Sequence, residues 1–188
     1  MADDAVSSTL NSLPDLYVDL LWNLETSGRI MLIEFPRLAS AAADPELATA
    51  LRDCLGMASH HTDALATLLS HFSQPARAHP ADLEALLGSA ARRFEDLPAG
   101  NVRDLALCVV ARTAVHLAIP ASDLAMSLAV TVGYEEHIDR LRRLRHDIAA
   151  SDARLELIAR TRVAAHLPIG MPALESTAAD STHSAERV

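Results

Sequence analysis

The chemistry this chain could do starts with a few histidines and carboxylates set among apolar neighbours. His116 stands in ARTAVHLAIPASD, residues 111–123, a run apolar on nearly every side of a helical wheel. His60 and His61 are adjacent, about 100° apart on a helix, so one is expected to face inward and the other solvent. Together with Glu25 and Asp152, His61 and His116 make up a mixed nitrogen and oxygen set of the kind that holds one zinc-like ion. The simpler reading of His116 is an inward histidine satisfied by a backbone carbonyl or a hydroxyl. Pro120 has no N–H and leaves the His116 carbonyl without its helical donor, so this turn is expected to bend.

Other reactive types are present without a pattern that uses them. Cys54 and Cys108 lie near apolar stripes, where a free thiol behaves as a small hydrophobe, and two cysteines make no disulfide framework. RLRRLR, residues 140–145, has the look of a phosphate-binding strip. Leu141 and Leu144 occupy core positions of that helix, however, and Glu135, Glu136, Asp139 and Asp147 surround it, so a solvated face or an interface with an acidic partner is expected. Serine, histidine and aspartate are plentiful, but no strand-turn-helix nucleophile motif occurs, and no catalytic residue is assigned.

Composition narrows what must position these groups. The chain has 188 residues, half of them apolar but only 3% aromatic, so its core is built from Leu, Ala, Val and Ile. Those are helix-compatible residues, and glycine is scarce. With 25 acidic against 16 basic residues the net charge is -9, which argues against a general affinity for nucleic acid. The start, MADDAVSSTLNSLPD, has no cationic segment before an apolar run, so no secretory signal is expected. The most apolar stretch, Leu105 to Val132, is interrupted by Arg112, His116, Pro120 and Asp123, which disfavours a membrane span. A cytoplasmic location is the expectation.

The periodicity gives an all-α protein. Residues 1–11 read as a disordered leader, 12–166 as a helical bundle and 167–188 as a flexible tail. Ser12, Pro14 and Asp15 form a helix start. Leu13, Tyr17, Leu20, Leu24, Gly28, Met31, Phe35, Leu38 and Ala42 then line one face, with Pro36 bending the helix rather than ending it. Tyr17 and Trp22 are expected in packing or in a dimer contact. Asp44-Pro45 opens a second helix with the stripe Leu47, Leu51, Cys54, Ala58, His61, Leu65, Leu68 and Phe72. After the connector SQPARAHPAD a short helix runs around Leu83 to Phe94. Asn101 is expected to cap the third long helix and Gly133 to end or kink it. The fourth, from Glu135 to about Ala165, carries Ile138, Leu141, Leu144, Ile148, Ser151, Leu155 and Ile158 on one face. Four long amphipathic helices and one short helix between the second and third long ones make a bundle.

From Tyr17 to Leu155 the register of these helices resembles the YciE/YciF family of ferritin-like proteins. YVDLLWNLETSGRIM matches the family's first-helix pattern, and Ala41 to Leu47, AAADPEL, matches its turn into the second helix. Leu47 and Leu55 fit the second helix, and Glu84 and Leu86 fit the short one. Val102 to Leu107, followed by His116 where the family has V-E-H-Y-E, and then Leu124, Leu128 and Gly133-Tyr134 fit the third. Ser151, Asp152 and Leu155 fit the fourth.

That resemblance implies a two-metal site among the four helices, made of inward carboxylates and histidines. Position by position this chain departs from it. Gly28, Met57, Val115, Ala118 and Ile148 stand where the family has glutamates; His116 and Asp152 remain. Gly28 and Ile148 fall on the apolar stripes found from periodicity alone, and Met57 borders its stripe. Replacing all the carboxylates together converts such a site into ordinary core, because an unpaired buried carboxylate is costly. The expected protein is therefore a non-catalytic, homodimeric scaffold or interaction protein without a cofactor, and, by family analogy, stress-related. Two alternatives stand beside it. One is a metal-binding oxidoreductase that holds iron, manganese or zinc through Glu25, His61, His116 and Asp152. The other is a binder of a small apolar ligand in the space left at Gly28.

Overall fold

The structure is a computed structural model that describes residues 11–72 and 81–165. The expected leader, apart from Asn11, and the expected tail lie outside the described residues, as does most of the connector after the second helix.

Five α-helices carry the described chain: α1 Leu13–Ala41, α2 Pro45–Leu69, α3 Ala81–Glu95, α4 Asn101–Val132 and α5 Ile138–Ala164, the last preceded by a 3-10 turn at Glu135–His137. Three of the boundaries have a clear local cause. The Ser12 hydroxyl accepts the Asp15 N–H and Pro14 sits in the first turn, which starts α1; the Asp44 carboxylate accepts the Glu46 N–H ahead of Pro45, which starts α2. α1 runs through Pro36 and α4 through Pro120. Gly133, at φ +83°, ends α4 in the left-handed conformation that glycine tolerates best. One expected cap is not used. Gly100 occupies the N-cap of α4 and Asn101 is the first helical residue; its carboxamide oxygen instead accepts a hydrogen bond from Arg162 at 3.2 Å.

The four long helices form a ring in which α1 touches α2 and α4, and α5 touches α4 and α2; α3 lies across α1 and α4. Tyr17, Leu21, Phe35, Leu38, Leu47, Leu51, Leu107, Leu141 and Leu155 are fully buried between them. Apart from Leu13 at the start of α1, which is exposed, the stripes read from periodicity fall on the buried faces, because residues three and four apart share a side of a helix and that side is apolar. α4 is long and apolar enough to cross a membrane, yet one of its faces packs in the bundle.

Each end of the ring is closed by a buried polar contact. At one end, Asp104 of α4 is 1% exposed and its carboxylate accepts the N–H groups of Ala43 and Asp44, at 2.8 and 3.1 Å, in the turn between α1 and α2. Arg162 of α5 pairs with Asp44 and lies 3.5 Å from Asp104, so one cluster ties three connections together. At the other end the Tyr17 phenol lies 2.8 Å from Nδ1 of the buried His137.

Candidate functional site

Between these ends, midway along the bundle, the four long helices enclose a small cavity. α1 contributes Gly28, α2 Met57, α4 Val115 and Ala118, and α5 Ile148, with His61 and Thr62 of α2 on the same wall. All five positions that the family resemblance assigns to metal-ligand glutamates thus line one space. Its volume is about 30 Å³. A single ordered water needs roughly 10–15 Å³ on that measure, so two waters are about the limit. Gly28 permits the close approach of α1 and α2: a Cβ there would stand 2.4 Å from the Thr62 hydroxyl oxygen.

Two buried polar atoms face this region without a hydrogen-bond partner among the described residues, Thr62 Oγ1 and His61 Nε2. Asp147 Oδ2 lies 3.1 Å from His61 Nε2, but the contact is not directed as a hydrogen bond. We treat it as electrostatic proximity, since direction is what separates a hydrogen bond from a short distance. Burial lowers the pKa of the His61 imidazole and outweighs the pull of Asp147 in the opposite direction, so the ring is held neutral.

The donors present do not fit a pair of hard divalent cations. Such ions need several anionic oxygen ligands to offset their charge in a buried place, and no carboxylate lines the cavity. Of the two thioethers that line it, Met31 and Met57, the Met57 Sδ already accepts the Ser151 hydroxyl at 3.2 Å. Among the described residues no three His, Cys, Asp or Glu side chains converge on one point.

The four residues of the single-ion alternative are dispersed. Glu25 is 2% exposed and takes a hydrogen bond from Arg29 Nε at 2.5 Å, one turn along α1. His61 is at the cavity. His116 and Asp152 do meet, at 2.8 Å, but on the outer side of α4 and α5. This corrects the expected inward His116 satisfied by a backbone or hydroxyl group. Its side chain is 53% exposed and its partner is a carboxylate. Asp152 also accepts Arg112 through both oxygens, at 2.8 and 3.2 Å, and Arg112 reaches Glu156 at 3.1 Å. Burial alone would raise the Asp152 pKa; the hydrogen bonds from Arg112 and His116 outweigh it and hold the carboxyl below its usual range. A guanidinium in this position competes with a metal ion for the same oxygens, so the cluster acts as a clasp between α4 and α5.

The cysteines are as expected: Cys54 and Cys108 are buried and burial pushes both thiols up to about 11, which leaves them protonated and unreactive. His60 is exposed and His61 buried, as their angular separation requires. A cluster that sequence reading did not find surrounds Tyr17, where Tyr134 stacks at 5.4 Å and Phe72 meets it edge-on at 6.2 Å. His137 lies in the same cluster, its ring 5.4 Å from that of Tyr134. Burial lowers the His137 pKa despite Glu136 and raises that of the Tyr17 phenol, so both groups are held neutral and share one hydrogen bond. The aromatics come from α1, the end of α2 and the turn before α5, and their only signal in sequence is the closeness of Tyr134 to Gly133.

Comparison with known proteins adds the lineage of this fold. The sequence matches the model of a domain of unknown function, DUF892, over residues 12–167. No curated protein matches the chain. Among solved structures, the E. coli stress protein YciF superposes with a TM-score of 0.76 at 21% identity, covering 82% of this chain and 99% of that one. YcfI of Rhodopseudomonas palustris, a candidate structural protein, superposes with a TM-score of 0.73 at 16% identity, covering 80% of this chain and 96% of its own. The fold is the YciF-like ferritin-like bundle.

Proposed function

The chain belongs to the DUF892 family, and from that premise we propose that it is a non-catalytic ferritin-like scaffold whose dinuclear metal site has been replaced by apolar core. The observation that carries this reading is the convergence of Gly28, Met57, Val115, Ala118 and Ile148 on one cavity. Five independent positions on four helices share a place and a chemical direction of change. A scattered loss of polarity would not produce that pattern.

The scaffold acts as a homodimer through α4. Val102, Val109, Leu117 and Leu124 are 75, 64, 50 and 44% exposed, and they fall on one line with Ala106, Thr113, Pro120, Ser127 and Thr131. That line is about 43 Å long at the helical rise and carries no charge. Two copies with a net charge of -9 each repel one another unless they meet on such a surface, and an uncharged stripe is self-complementary about a two-fold axis. The likeness to a stress protein supports a role in stress; a cytoplasmic location and protein partners are part of the same proposal.

Elemental analysis of protein purified without chelators tests the first part. The reading expects less than one metal ion per several chains; stoichiometric iron, manganese or zinc that disappears in His116→Ala or His61→Ala would reject it in favour of the oxidoreductase. Sedimentation velocity tests the second: Leu117→Glu is expected to convert a dimer into a monomer. A parent chain that sediments as a monomer at micromolar concentration removes the dimer.

A further inference from the structure

The RLRRLR block is sorted by its own helix. Leu141 and Leu144 are buried, Arg142 bonds Asp139 at 2.6 Å, and Arg145 Nε bonds Asp123 at 2.9 Å. That leaves Arg140 and Arg143, one turn apart and exposed, and neither forms an ion pair among the described residues. Both line a cleft of about 300 Å³ between α5 and α2, whose opposite wall carries His60, His61, Asp63 and Thr67.

We propose that this cleft binds a small, free phosphate monoester of a polyol. Two guanidiniums on one wall of the cleft can share the several acceptor oxygens of one phosphate, and arginine is the side chain best matched to that anion. His60 faces them across the cleft as a further donor. The other features of the cleft decide against a simple anion. Asp63 repels a second negative group and accepts hydroxyl donors. Thr67 already donates its hydroxyl to the Asp63 carbonyl at 2.9 Å, so it presents lone pairs to a ligand. A molecule with phosphate at one end and hydroxyls at the other complements both walls. The volume sits at the small end of ligand pockets and selects a metabolite-sized guest.

His61 gives the cleft a floor with a second face. It lines this outer cleft and the central cavity alike, it is more than nine-tenths buried, and its Nε2 has no hydrogen-bond partner. Asp147 Oδ2 lies 3.1 Å from that nitrogen. The outer site shares His61 with the central cavity, but its phosphate donors, Arg140 and Arg143, line the outer cleft alone, so its test is separate from that of the scaffold reading.

The test is calorimetric titration of the full chain at low ionic strength with glycerol 3-phosphate, inorganic phosphate and glycerol. Saturable binding of glycerol 3-phosphate is expected, at least tenfold tighter than inorganic phosphate, with none for glycerol. Arg140→Gln and Arg143→Gln, both at exposed positions, are each expected to weaken it at least tenfold while leaving the melting temperature unchanged. No heat at millimolar ester, equal affinity for inorganic phosphate, or affinity unchanged in the Arg140→Gln/Arg143→Gln pair would each overturn the assignment. Cosedimentation with phosphatidic acid vesicles without binding of the free ester would overturn it too.

Discussion

Returning one carboxylate to the bundle centre separates ordinary core from a dormant metal site. Ile148 is 5% exposed and lines the central cavity with Met57, Val115 and Gly28. In Ile148→Glu the new carboxyl enters a cavity whose polar side chains are Ser27, His61 and Thr62, none of them charged to pair with it. Buried glutamates of this kind have pKa values of about 8–9, so the group stays protonated at neutral pH. Holding it so at pH 7, against an unfolded value of about 4.3, costs about 3.7 kcal/mol at roughly 1.4 kcal/mol per pH unit. Lost burial of the isoleucine adds about 1 kcal/mol after allowing for the methylenes that glutamate keeps. Loss of about 4–6 kcal/mol corresponds to a melting temperature lower by roughly 10–20 °C for a chain of this size. The sign of the pH effect follows from the raised folded pKa: the ionisation penalty is full near neutrality and vanishes as pH falls to the unfolded value. The difference from the parent chain should therefore shrink by about 2.7 kcal/mol between pH 7 and pH 5. Urea denaturation followed by circular dichroism, in EDTA and in manganese or zinc, measures all of this. If metal recovers the roughly 2.7 kcal/mol that a ligand at a hundred times its Kd supplies, about half of the loss, the centre is a metal site. A difference that does not change with pH would show that the position is not buried.

Three further outcomes follow from the same geometry. Asp104→Ala should cost about 2–5 kcal/mol in urea denaturation, because it strands two backbone N–H groups and removes one of the two carboxylates that face Arg162; a loss below about 1 kcal/mol would contradict the role of this cluster. Gly28→Ala should destabilise the parent, where the new methyl meets Thr62 Oγ1 at 2.4 Å, yet stabilise a Thr62→Ala background by about 1 kcal/mol through helix propensity. A double-mutant cycle with no coupling would refute the contact. Burial lowers the folded pKa of both His61 and His137, so below about pH 6.5 the unfolded chain takes up protons the folded chain resists, and stability falls. Thermal melts from pH 7 to pH 5 should show that decline, smaller in His61→Gln, and well above the range in which Asp152 titrates; a flat profile contradicts it.

The helix faces were legible because burial here follows a single rule. Leu47, Leu51, Cys54, Ala58, His61, Leu65 and Leu68 recur at three and four, and each is buried. The candidate centre was legible by the same route once family register supplied the positions: Gly28 and Ile148 lay on stripes before any contact was known. His116 was not legible because the wheel around it is apolar on nearly every side. Periodicity orients a helix only where one face is polar, and α4 keeps an outward apolar line through Val109 and Leu117. The partner of His116 was hidden for a second reason: Asp152 is 36 residues away, and the pairing depends on how α4 and α5 are set side by side. The same holds for Asp104 and the Ala43 N–H, 61 residues apart.

These long-range polar contacts also explain how a bundle whose central cavity is lined by no carboxylate keeps one register. Apolar packing tolerates sliding and rotation, since many arrangements of leucine and alanine bury similar areas. Ferritin-like centres resolve that ambiguity with ligands shared among four helices. In this chain the buried directional contacts lie at the two ends, where Asp104 and Arg162 join α4 and α5 to the turn between α1 and α2, and Tyr17 joins α1 to the turn before α5. The Arg112, His116 and Asp152 clasp holds α4 against α5 between them. Each contact satisfies a specific donor with a specific acceptor, so a one-turn slip would strand buried polar groups at a cost apolar packing cannot recover. With register held at the ends, the centre is free of the requirement for charge, and residues such as Met57 and Ile148 can occupy it.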